Sequence, residues 1–250
     1  MGKLSAAFVI GLMCALLGAC RQQEDKAAFP APQRPVAPIV SSAYRDEDAR
    51  DSVGEFETVM RLAEVRPGMS VADIGAGEGY YTVRLAPIVG REGRVLAEDI
   101  VPQTIRALGQ RVQRERLDNV AIRLGQPNDP QLPDGSFDRI LMIHMYHEIE
   151  QPFGLLYNLW PSLRPGARVG ILDTTRPTNQ HGTPPALLKC ELEAMGYRQT
   201  SFHQTSPGEY LAVFTAPENE AALTAPDRVK GRLDALGCDR IARQTAEGGA

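Results

Sequence analysis

The stretch that decides the fold lies at residues 70–81, which read SVADIGAGEGYY. A short apolar run ending in Asp73 and Ile74 is followed by glycines at positions 75, 77 and 79 and then by a segment with helical character. Glycines at a strand-to-helix turn let the backbone approach a ligand closely, and the helix start behind them offers free N–H groups. The stretch therefore predicts a buried strand, a ligand-binding turn and a helix.

The spacing of these glycines discriminates between ligands. A dinucleotide fingerprint has glycines at the first, third and sixth positions. This turn has them at the first, third and fifth positions, and Tyr80 occupies the sixth. Asp73 would repel a diphosphate, but its carboxylate attracts an ammonium group, while the N–H groups of the turn can donate to a carboxylate. The turn therefore favours a zwitterion such as the methionine part of S-adenosylmethionine, and it disfavours a nucleotide-dependent oxidoreductase.

Short apolar strands alternate with amphipathic helices on both sides of this turn. The first helix is predicted from apolar residues at positions 56, 59, 60 and 63. Such repetition predicts a parallel sheet that is covered on both faces. Near the end, two strands joined by the turn TSPGE (205–209) predict an antiparallel hairpin at the sheet edge. The other strands are expected at 94–100, 120–124, 137–143 and 168–172, and the other helices at 79–86, 102–117, 153–163 and 185–195.

Four motifs, in order, resemble those of the class I S-adenosylmethionine-dependent methyltransferases over about residues 50–215. The glycine turn resembles motif I, and the strand end VLAEDI (95–100) places Asp99 where the family has an acidic residue. The phrases LPDGSFD (132–138) and LRPGA (163–167) match the approaches to the fourth and fifth strands. The resemblance implies an α/β, Rossmann-like fold with a mostly parallel seven-stranded sheet and a C-terminal antiparallel hairpin edge. It also implies S-adenosylmethionine as the cofactor.

The resemblance assigns cofactor contacts residue by residue. In the family, the acidic residue at the second strand end takes both ribose hydroxyls, which a carboxylate can accept. Relatives usually carry an Asp for the adenine amino group where this chain has Gln126, so Asp129, Asn128 or Gln126 itself is left for that contact. The implied cofactor-binding residues are Asp73, Gly75, Ala76, Gly77, Gly79, Glu98, Asp99, Asp129 and His144.

Candidate catalytic residues follow the fourth strand, in the phrase ILMIHMYHEI (140–149). Side chains at the carboxyl edge of an open α/β sheet lie beside the bound ligand. His147, or Tyr146 with Glu148, is therefore predicted to take the acceptor's proton during methyl transfer. Two alternatives stay open. His144 is a hydrogen-bonded core residue, or His147 and Glu148 merely contact the cofactor or cap the next helix.

Two polar segments are candidates for the acceptor pocket. The charged stretch YRDEDARDS (44–52) precedes the first helix, where related enzymes fold a lid over the cofactor. Such a charge run is equally the solvated start of a helix. The loop DTTRPTNQHGTPP (173–185) follows the fifth strand and carries Arg176 and His181. Either segment is expected to orient a polar acceptor.

The N-terminal residues have the layout of an export signal. Lys3 precedes about twelve apolar or small residues, a run too short for a comfortable membrane span of about 20 residues. The run ends in LGAC (17–20), which resembles the lipobox of bacterial lipoproteins and makes Cys20 the lipidated residue. A plain signal peptide or an uncleaved membrane anchor is the alternative. The expected divisions are a signal peptide at 1–19, a Pro-rich tether at 20–43, a methyltransferase domain at 44–216 and a polar tail at 217–250 with at most one helix.

Cys190 and Cys238 are the cysteines left for the folded body. Their spacing matches no zinc pattern, and no metal is predicted. An exported chain can oxidise such a pair to a disulfide. We nevertheless expect free, buried cysteines in helices.

Composition limits the partners of the chain. Its 250 residues include 27 basic and 31 acidic side chains, a formal net charge of −4, and 43% are hydrophobic. This composition excludes disorder of the whole chain and lacks the basic excess that general nucleic-acid binding requires. We therefore expect a small-molecule acceptor, membrane contact through the lipid anchor and no obligate protein partner.

The predicted function is S-adenosylmethionine-dependent methyl transfer by a protein anchored in the bacterial cell envelope, on its periplasmic face. Arg21 after Cys20 favours the outer membrane, because an Asp at this position commonly signals retention in the inner membrane. S-adenosylmethionine is made in the cytoplasm, so export raises an alternative function. The alternative is a non-catalytic lipoprotein that binds a ligand in a methyltransferase fold.

Overall fold

One seven-stranded sheet organises the computed structural model, which describes residues 28–39 and 47–247. The strand order is β3-β2-β1-β4-β5-β7-β6, and β1 to β5 run parallel while β7 pairs antiparallel with both β5 and β6. The predicted fold, including its antiparallel hairpin edge, is confirmed. The strands are β1 Ser70–Ile74, β2 Arg94–Asp99, β3 Val120–Leu124, β4 Phe137–Ile143, β5 Leu163–Thr174, β6 Arg198–Ser206 and β7 Glu209–Thr215.

Helices cover both faces of this sheet. One face packs against α2 and α3, with α4 over β2 and β3, and the other face packs against α5, α6 and the C-terminal helices. Proline stands in the first turn of α4, α5, α6 and α7, where its missing N–H costs nothing. Within the described ranges, none of the helices has the length and apolar content needed to cross a membrane. The helices are α1 Glu47–Ser52, α2 Glu55–Leu62, α3 Tyr80–Val89, α4 Pro102–Arg114, α5 Pro152–Leu159, α6 Pro185–Ala194, α7 Pro226–Leu236 and α8 Cys238–Glu247.

The strand order reverses between β1 and β4. From β1 the chain adds β2 and β3 on one side, and it then crosses over to place β4 and β5 on the other side. In open α/β sheets, such a reversal leaves a crevice at the carboxyl ends of the strands, where ligands bind. The crevice of this protein therefore lies beyond Ile74 and Ile143.

Residues 28–39 pack on the domain, which differs from the free tether expected from the proline content. The Nε of Arg34 lies 3.0 Å from a carboxylate oxygen of Glu191, and both side chains are almost fully buried. The backbone N–H of Ala37 donates to the carbonyl of His147 at 3.0 Å. Prolines keep this segment from forming a helix or a strand, but they do not prevent its side chains from being buried. The extended segment therefore docks against α5 and α6. The predicted signal peptide and Cys20 lie outside the described residues.

The C-terminal segment holds two helices, where the sequence predicted at most one. Gly237 adopts a left-handed conformation (φ 73°) between α7 and α8, so the chain turns and a second helix begins at once. Cys238 of α8 forms a disulfide with Cys190 of α6. The expectation of free cysteines is therefore wrong. The apolar faces of α7 and α8 meet α6, and this packing brings together two cysteines 48 residues apart.

The disulfide is expected to contribute measurably to folding. Closing a loop of 48 residues restricts the unfolded chain and is worth about 2–4 kcal/mol in the free energy of unfolding. Dithiothreitol should therefore lower the urea midpoint of the full-length protein, and the Cys190→Ala/Cys238→Ala double variant should show the lower midpoint with or without reductant. Equal midpoints for the oxidised protein and the double variant would contradict this prediction.

Candidate active site

A cavity of about 660 Å³ opens at the carboxyl ends of β1, β2 and β4. Its volume falls in the range of about 300–1,000 Å³ that small-molecule sites occupy. The glycine turn after β1 forms its floor, and α1 and Ile39 of the N-terminal segment contribute to its rim. The crevice at the point where the strand order reverses is therefore a cavity large enough for a small molecule.

The turn from β1 to α3 is built from backbone that only glycine adopts easily. Gly75, Gly77 and Gly79 have φ values of 68°, 56° and 87°. Gly79 caps α3, and a Cβ on it would lie 2.3 Å from Cδ1 of Leu108. Of the predicted turn residues, Gly75, Ala76 and Gly77 line the cavity, whereas Gly79 supports them by allowing α4 to approach. The start of α3 is thereby held below the cavity.

Asp73 ends β1 with its carboxyl group at the cavity wall. The side chain is 2% exposed and accepts a hydrogen bond from the Thr82 hydroxyl at 2.6 Å. Burial raises the pKa of Asp73 to about 6, against the weaker effect of the Thr82 hydrogen bond. A cationic group placed in the cavity would stabilise the ionised form of this carboxyl.

Two carboxyl groups end β2 on the opposite side of the turn. Asp99 accepts hydrogen bonds from the backbone N–H groups of Gly77 at 3.0 Å and Val101 at 2.8 Å, which fixes its orientation at the cavity. Glu98 also lines the cavity, and its buried Oε1 has no hydrogen-bond partner. Burial, together with the charge of Asp99, raises the pKa of Glu98 to about 8. Glu98 is therefore a neutral carboxylic acid at pH 7, able both to donate and to accept a hydrogen bond.

The structure separates the three residues proposed for the adenine contact. Gln126 lines the cavity, whereas Asn128 and Asp129 do not. A carboxylate oxygen of Asp129 instead accepts a hydrogen bond from the backbone N–H of Gln131 at 2.8 Å. The turn formed by the backbone pairing of Gln126 and Asp129 directs the two side chains differently. Of the three candidates for the adenine contact, Gln126 is therefore the one that reaches the cavity, and it stands where relatives usually carry an Asp.

His144 lies at the cavity wall in a strained backbone conformation. Its φ is 55°, which is uncommon for a residue other than glycine and is often found at functional sites. Its Nε2 lies 3.7 Å from Glu55 and 3.6 Å from Glu209. Burial raises the pKa of Glu55, but the nearby ring of His144 and the hydrogen bonds from Arg50 outweigh it and lower the pKa to about 2. The predicted contact of His144 with the ligand cavity is consistent with this position.

Residues Tyr146–Glu148, which were predicted to be catalytic, form a short 3₁₀ turn that points their side chains in different directions. Glu148 lines the cavity, whereas Tyr146 and His147 point away from it and are fully buried. The Tyr146 hydroxyl donates to Glu191 at 2.9 Å, and burial raises the pKa of Tyr146 well above its ordinary value. Tyr146 is thus a core residue, in a position that does not support the predicted role as a base. Nδ1 of His147 lies 2.9 Å from Asp173.

Helix α1, from the charged stretch predicted as a lid, lies over the start of α3. Asp51 accepts a hydrogen bond from the Tyr80 hydroxyl at 2.8 Å and forms an ion pair with Arg84. Glu47 and Arg50 line the cavity, and the guanidinium of Arg50 lies 3.8 Å from the centre of the Tyr80 ring. The described part of the predicted lid therefore contributes to the cavity wall. Residues 44–46 of that stretch lie outside the described residues.

The cavity wall is strongly acidic. Seven carboxyl groups and a single arginine, Arg50, lie among the lining residues. This balance opposes a diphosphate, as predicted from the glycine spacing, and favours a ligand with positive charge. The guanidinium of Arg50 forms an ion pair with Glu55 at 2.6 Å and lies at the wall, where it could also meet a ligand carboxylate. The seven acidic residues are Glu47, Asp73, Glu78, Glu98, Asp99, Glu148 and Glu150.

Sequence reasoning missed the partners that hold these residues. Asp173 was included only as the start of a loop, although it is buried and bound by His147 and Thr183. A signal was present, because an Asp in ILDTT (171–175) ends a buried parallel strand at the same edge as Asp73. Glu55 gave no comparable signal, since it looked like one more charge in the first helix.

Comparison with known proteins agrees with this geometry. Residues 72–169 match the model of a family described as a methyltransferase domain. A demethylmenaquinone methyltransferase from Geobacillus sp. is 25% identical over 147 residues, which are 56% of this chain and 63% of the relative. An arsenite methyltransferase from Halobacterium salinarum is 28% identical over 167 residues, which are 64% of this chain and 42% of the relative. The chain thus spans less than two thirds of the length of these two curated relatives.

A further curated relative and a solved structure extend the comparison. The ubiquinone/menaquinone biosynthesis C-methyltransferase from Marinomonas sp. is 28% identical, over 74% of this chain and 72% of the relative. The crystal structure of an S-adenosylmethionine-dependent methyltransferase from Aquifex aeolicus superposes with a TM-score of 0.61 at 23% identity, over 68% of this chain and 98% of that chain. Residues 72–169 thus match a methyltransferase domain, and the strand order together with the solved structure shows the Rossmann-like fold of S-adenosylmethionine-dependent methyltransferases.

Proposed function

We propose that the protein transfers a methyl group from S-adenosylmethionine to a small-molecule acceptor at the bacterial cell envelope. The observation that carries the catalytic part is the acidic cavity above the glycine turn, with Asp73 and Asp99 at two adjacent strand ends. S-adenosylmethionine has a sulfonium, an ammonium and a carboxylate, so an acidic wall with one arginine complements it.

The residues of the cavity fit the parts of the cofactor one by one. Asp73 would attract the ammonium group, and the N–H groups of the turn with Arg50 would hold the carboxylate. Asp99 would accept the ribose hydroxyls, and the orphaned Oε1 of Glu98 would gain a partner. Gln126 would offer its amide to the adenine. When bound, the cofactor supplies an activated methyl group.

The protein's own part in the transfer is positioning, exclusion of water and removal of a proton. Ile39, with Glu47 and Arg50 of α1, forms part of the cavity wall and reduces its exposure to water. His144 is the best-placed proton acceptor, because it lines the cavity and a proton on it would lie between Glu55 and Glu209. This assignment replaces both His147 and Tyr146, which are fully buried and do not line the cavity.

The lining also indicates the kind of acceptor. Ile143, Met145, Ile149 and Leu155 give the cavity an apolar side near His144. An acceptor with an apolar body and one ionisable group would suit that side. Two of the curated relatives are named for menaquinone or ubiquinone synthesis and one for arsenite. An arsenite acceptor is disfavoured, because arsenite prefers thiolates and both cysteines in the described ranges are joined in a disulfide.

The envelope location is supported by two independent features. The N-terminal residues resemble a lipoprotein signal that ends at Cys20. The Cys190–Cys238 disulfide suits an oxidising compartment, since cytoplasmic thiols are kept reduced. An acceptor in the periplasm or in the membrane surface would then be within reach.

The second candidate function is ligand binding without catalysis. Export away from the source of S-adenosylmethionine favours it, and the cavity would serve equally to hold a cationic nucleoside. The two functions share the cofactor residues and differ at His144, which only catalysis requires.

Variants at Asp99 and His144 should distinguish the two functions. Asp99→Asn should weaken S-adenosylmethionine binding by about tenfold or more, since a charged hydrogen-bond acceptor contributes about 1.5–3 kcal/mol. His144→Asn, which tolerates the positive φ, should leave binding within about twofold and lower methyl transfer by about 100-fold. Calorimetry measures binding, and labelled cofactor with an envelope extract measures transfer.

Matched controls make this result specific. Asp134 lies in an exposed turn and His203 lies on the edge strand β6. The variants Asp134→Asn and His203→Asn should therefore bind the cofactor and transfer methyl groups as the unaltered protein does. Cofactor binding without any transfer would favour the binding function. Absence of S-adenosylmethionine binding would exclude methyl transfer from this cofactor.

The raised pKa of Glu98 predicts a pH-dependent stability. The unfolded carboxyl ionises near its ordinary pKa of 4.5, whereas the folded one keeps its proton up to about pH 8. The stabilisation is therefore complete below pH 4.5 and is lost as the pH rises towards 8, at up to about 1.4 kcal/mol per pH unit. In the Glu98→Gln variant, the free energy of unfolding should decrease less between pH 6.5 and 8. The variant should therefore be more stable than the unaltered protein at pH 8.

Urea unfolding across this pH range checks the prediction. The control is Glu92→Gln, which removes an exposed carboxyl from the turn before β2. Parallel pH profiles for the unaltered and Glu98→Gln proteins would contradict the assigned pKa.

Lipid anchoring is tested at Cys20. Cys20→Ser should abolish incorporation of labelled fatty acid and release the protein from the membrane fraction, because no acyl chain then holds it. Cys238→Ala is the matched control and should stay membrane-bound. Unchanged labelling and fractionation of Cys20→Ser would exclude a lipid anchor at this residue.

A further inference from the structure

A second group of polar side chains lies behind the cavity wall, where the turn after β4 meets the loop after β5. Nε2 of His147 is 4.0 Å from Oε1 of Glu148, and Nδ1 of His181 is 3.9 Å from the same oxygen. The three atoms all lie within 4.8 Å of one another. We refer to His147, Glu148 and His181 as the His-Glu-His cluster.

A hydrogen bond to Asp173 fixes the orientation of the His147 ring. Its Nδ1 lies 2.9 Å from the carboxylate of Asp173, which is itself fully buried. Asp173 also accepts hydrogen bonds from the Thr183 hydroxyl and the Thr174 N–H, each at 2.7 Å. Because a carboxylate only accepts, Nδ1 donates, and in the neutral ring Nε2 carries the lone pair. A carboxylate that orients a histidine in this way is a common outer partner of metal-binding histidines.

The second histidine is also held in place. His181 follows a short 3₁₀ turn with a φ of 55°, and its carbonyl accepts a hydrogen bond from the Thr174 hydroxyl at 3.0 Å. Its ring stands edge-on to that of His147, with centroids 5.5 Å apart. The loop after β5 thus presents Nδ1 of His181 towards Glu148.

Two nitrogen atoms of this cluster are buried without a hydrogen bond. Nε2 of His147 and Nδ1 of His181 are both inaccessible to solvent and have no hydrogen-bond partner. An unsatisfied buried polar atom costs about 1–3 kcal/mol, so natural structures usually supply a partner. A metal ion would satisfy both nitrogens together, because it accepts electron pairs from them and from the neighbouring carboxylate oxygen.

We propose that the His-Glu-His cluster binds one divalent transition-metal ion of the Zn²⁺ type. Two histidines and one carboxylate form a known zinc ligand set that leaves a further position open. Ligand atoms about 2.0–2.1 Å from a tetrahedral ion lie about 3.3 Å apart, so the 3.9 and 4.0 Å separations from Glu148 must shorten by about 0.6–0.7 Å. The separation between the two histidine nitrogens, which is at most 4.8 Å, must shorten as well. Imidazole nitrogens favour such an ion over Mg²⁺.

A rival cluster close by is less suitable. Glu55, His144 and Glu209 also bring ligand atoms within 4.8 Å. However, Oε1 of Glu55 already accepts hydrogen bonds from Arg50 and Tyr81, and Glu209 accepts one from Thr205. This cluster offers one histidine against two in the His-Glu-His cluster, and the oxygen that each of its carboxylates turns to His144 is Oε2.

The metal site would border the cavity, because Glu148 belongs to both. On the basis of the proposed function, an acceptor with a hydroxyl or thiol group could take the open position, since a bound cation favours the ionised form of such groups. The metal inference itself stands on the cluster alone and does not need methyl transfer to occur.

The test is zinc binding by full-length protein without a polyhistidine tag, freed of metal by a chelator. Titration with Zn²⁺ against a fluorescent zinc chelator should give one tight site per chain that excess Mg²⁺ does not displace. His181→Asn, which tolerates the positive φ, should weaken that site by more than about 100-fold, and Asp173→Asn by about 10–100-fold. The matched control His203→Asn should bind as the unaltered protein does.

Circular dichroism and S-adenosylmethionine binding accompany each titration. If His181→Asn fails to fold, Glu148→Gln replaces it, with the same loss of zinc affinity expected. Equal zinc affinity for His181→Asn and His203→Asn, or no stoichiometric zinc in the unaltered protein, would overturn the proposal. Loss of the site in His144→Asn but not in His181→Asn would also overturn it, in favour of the rival cluster. Zinc binding by a protein that does not bind S-adenosylmethionine would keep the metal site and reject the proposed function.

Discussion

The reversal of strand order between β1 and β4 is the constraint on which the rest of the site depends. It sends the chain connections to opposite faces of the sheet and leaves the strand ends between them uncovered. β1 must then enter α3 within residues 75–79, and three left-handed glycines make that turn possible. The carboxyl groups of Asp73, Glu98 and Asp99 stand at strand ends, and Glu148 lies in the turn that follows one, whereas Arg50 comes from α1.

The acidic cavity is costly without a ligand. Asp73 and Glu98 are buried near Asp99, and both have raised pKa values because burial and mutual repulsion disfavour their ionised forms. A positively charged ligand relieves this repulsion, whereas a neutral one does not. We therefore expect the cavity to hold the cofactor, with its net positive charge, more strongly than its demethylated product, a zwitterion that has lost the sulfonium charge. The same electrostatics would favour binding before transfer and release after it.

Local patterns in the sequence predicted most of the fold and part of the site. The strands, the hairpin edge and Asp73 follow from short-range signals such as apolar periodicity and glycine spacing. Asp99, and Gln126 as one of three candidates, came from the resemblance to the methyltransferase family. The direction of Tyr146 did not, because a 3₁₀ turn of three residues reverses side chains without any compositional mark. The Arg34–Glu191 pair and the disulfide were missed for another reason. Their partners lie 157 and 48 residues apart, and packing alone brings them together.

Helix α6 connects the two ends of the described chain. Glu191 receives Arg34 from the N-terminal segment and the hydroxyl of Tyr146, while the adjacent Cys190 is bonded to α8. A buried ion pair that loses one partner leaves an uncompensated charge, so both contacts depend on α6 keeping its place. Arg34 also contacts the carbonyl groups of Tyr146 and His147, which belong to the turn that carries Glu148. The disulfide therefore supports, through α6 and Arg34, the turn that borders both the cavity and the His-Glu-His cluster, and an oxidising compartment would favour the geometry of both.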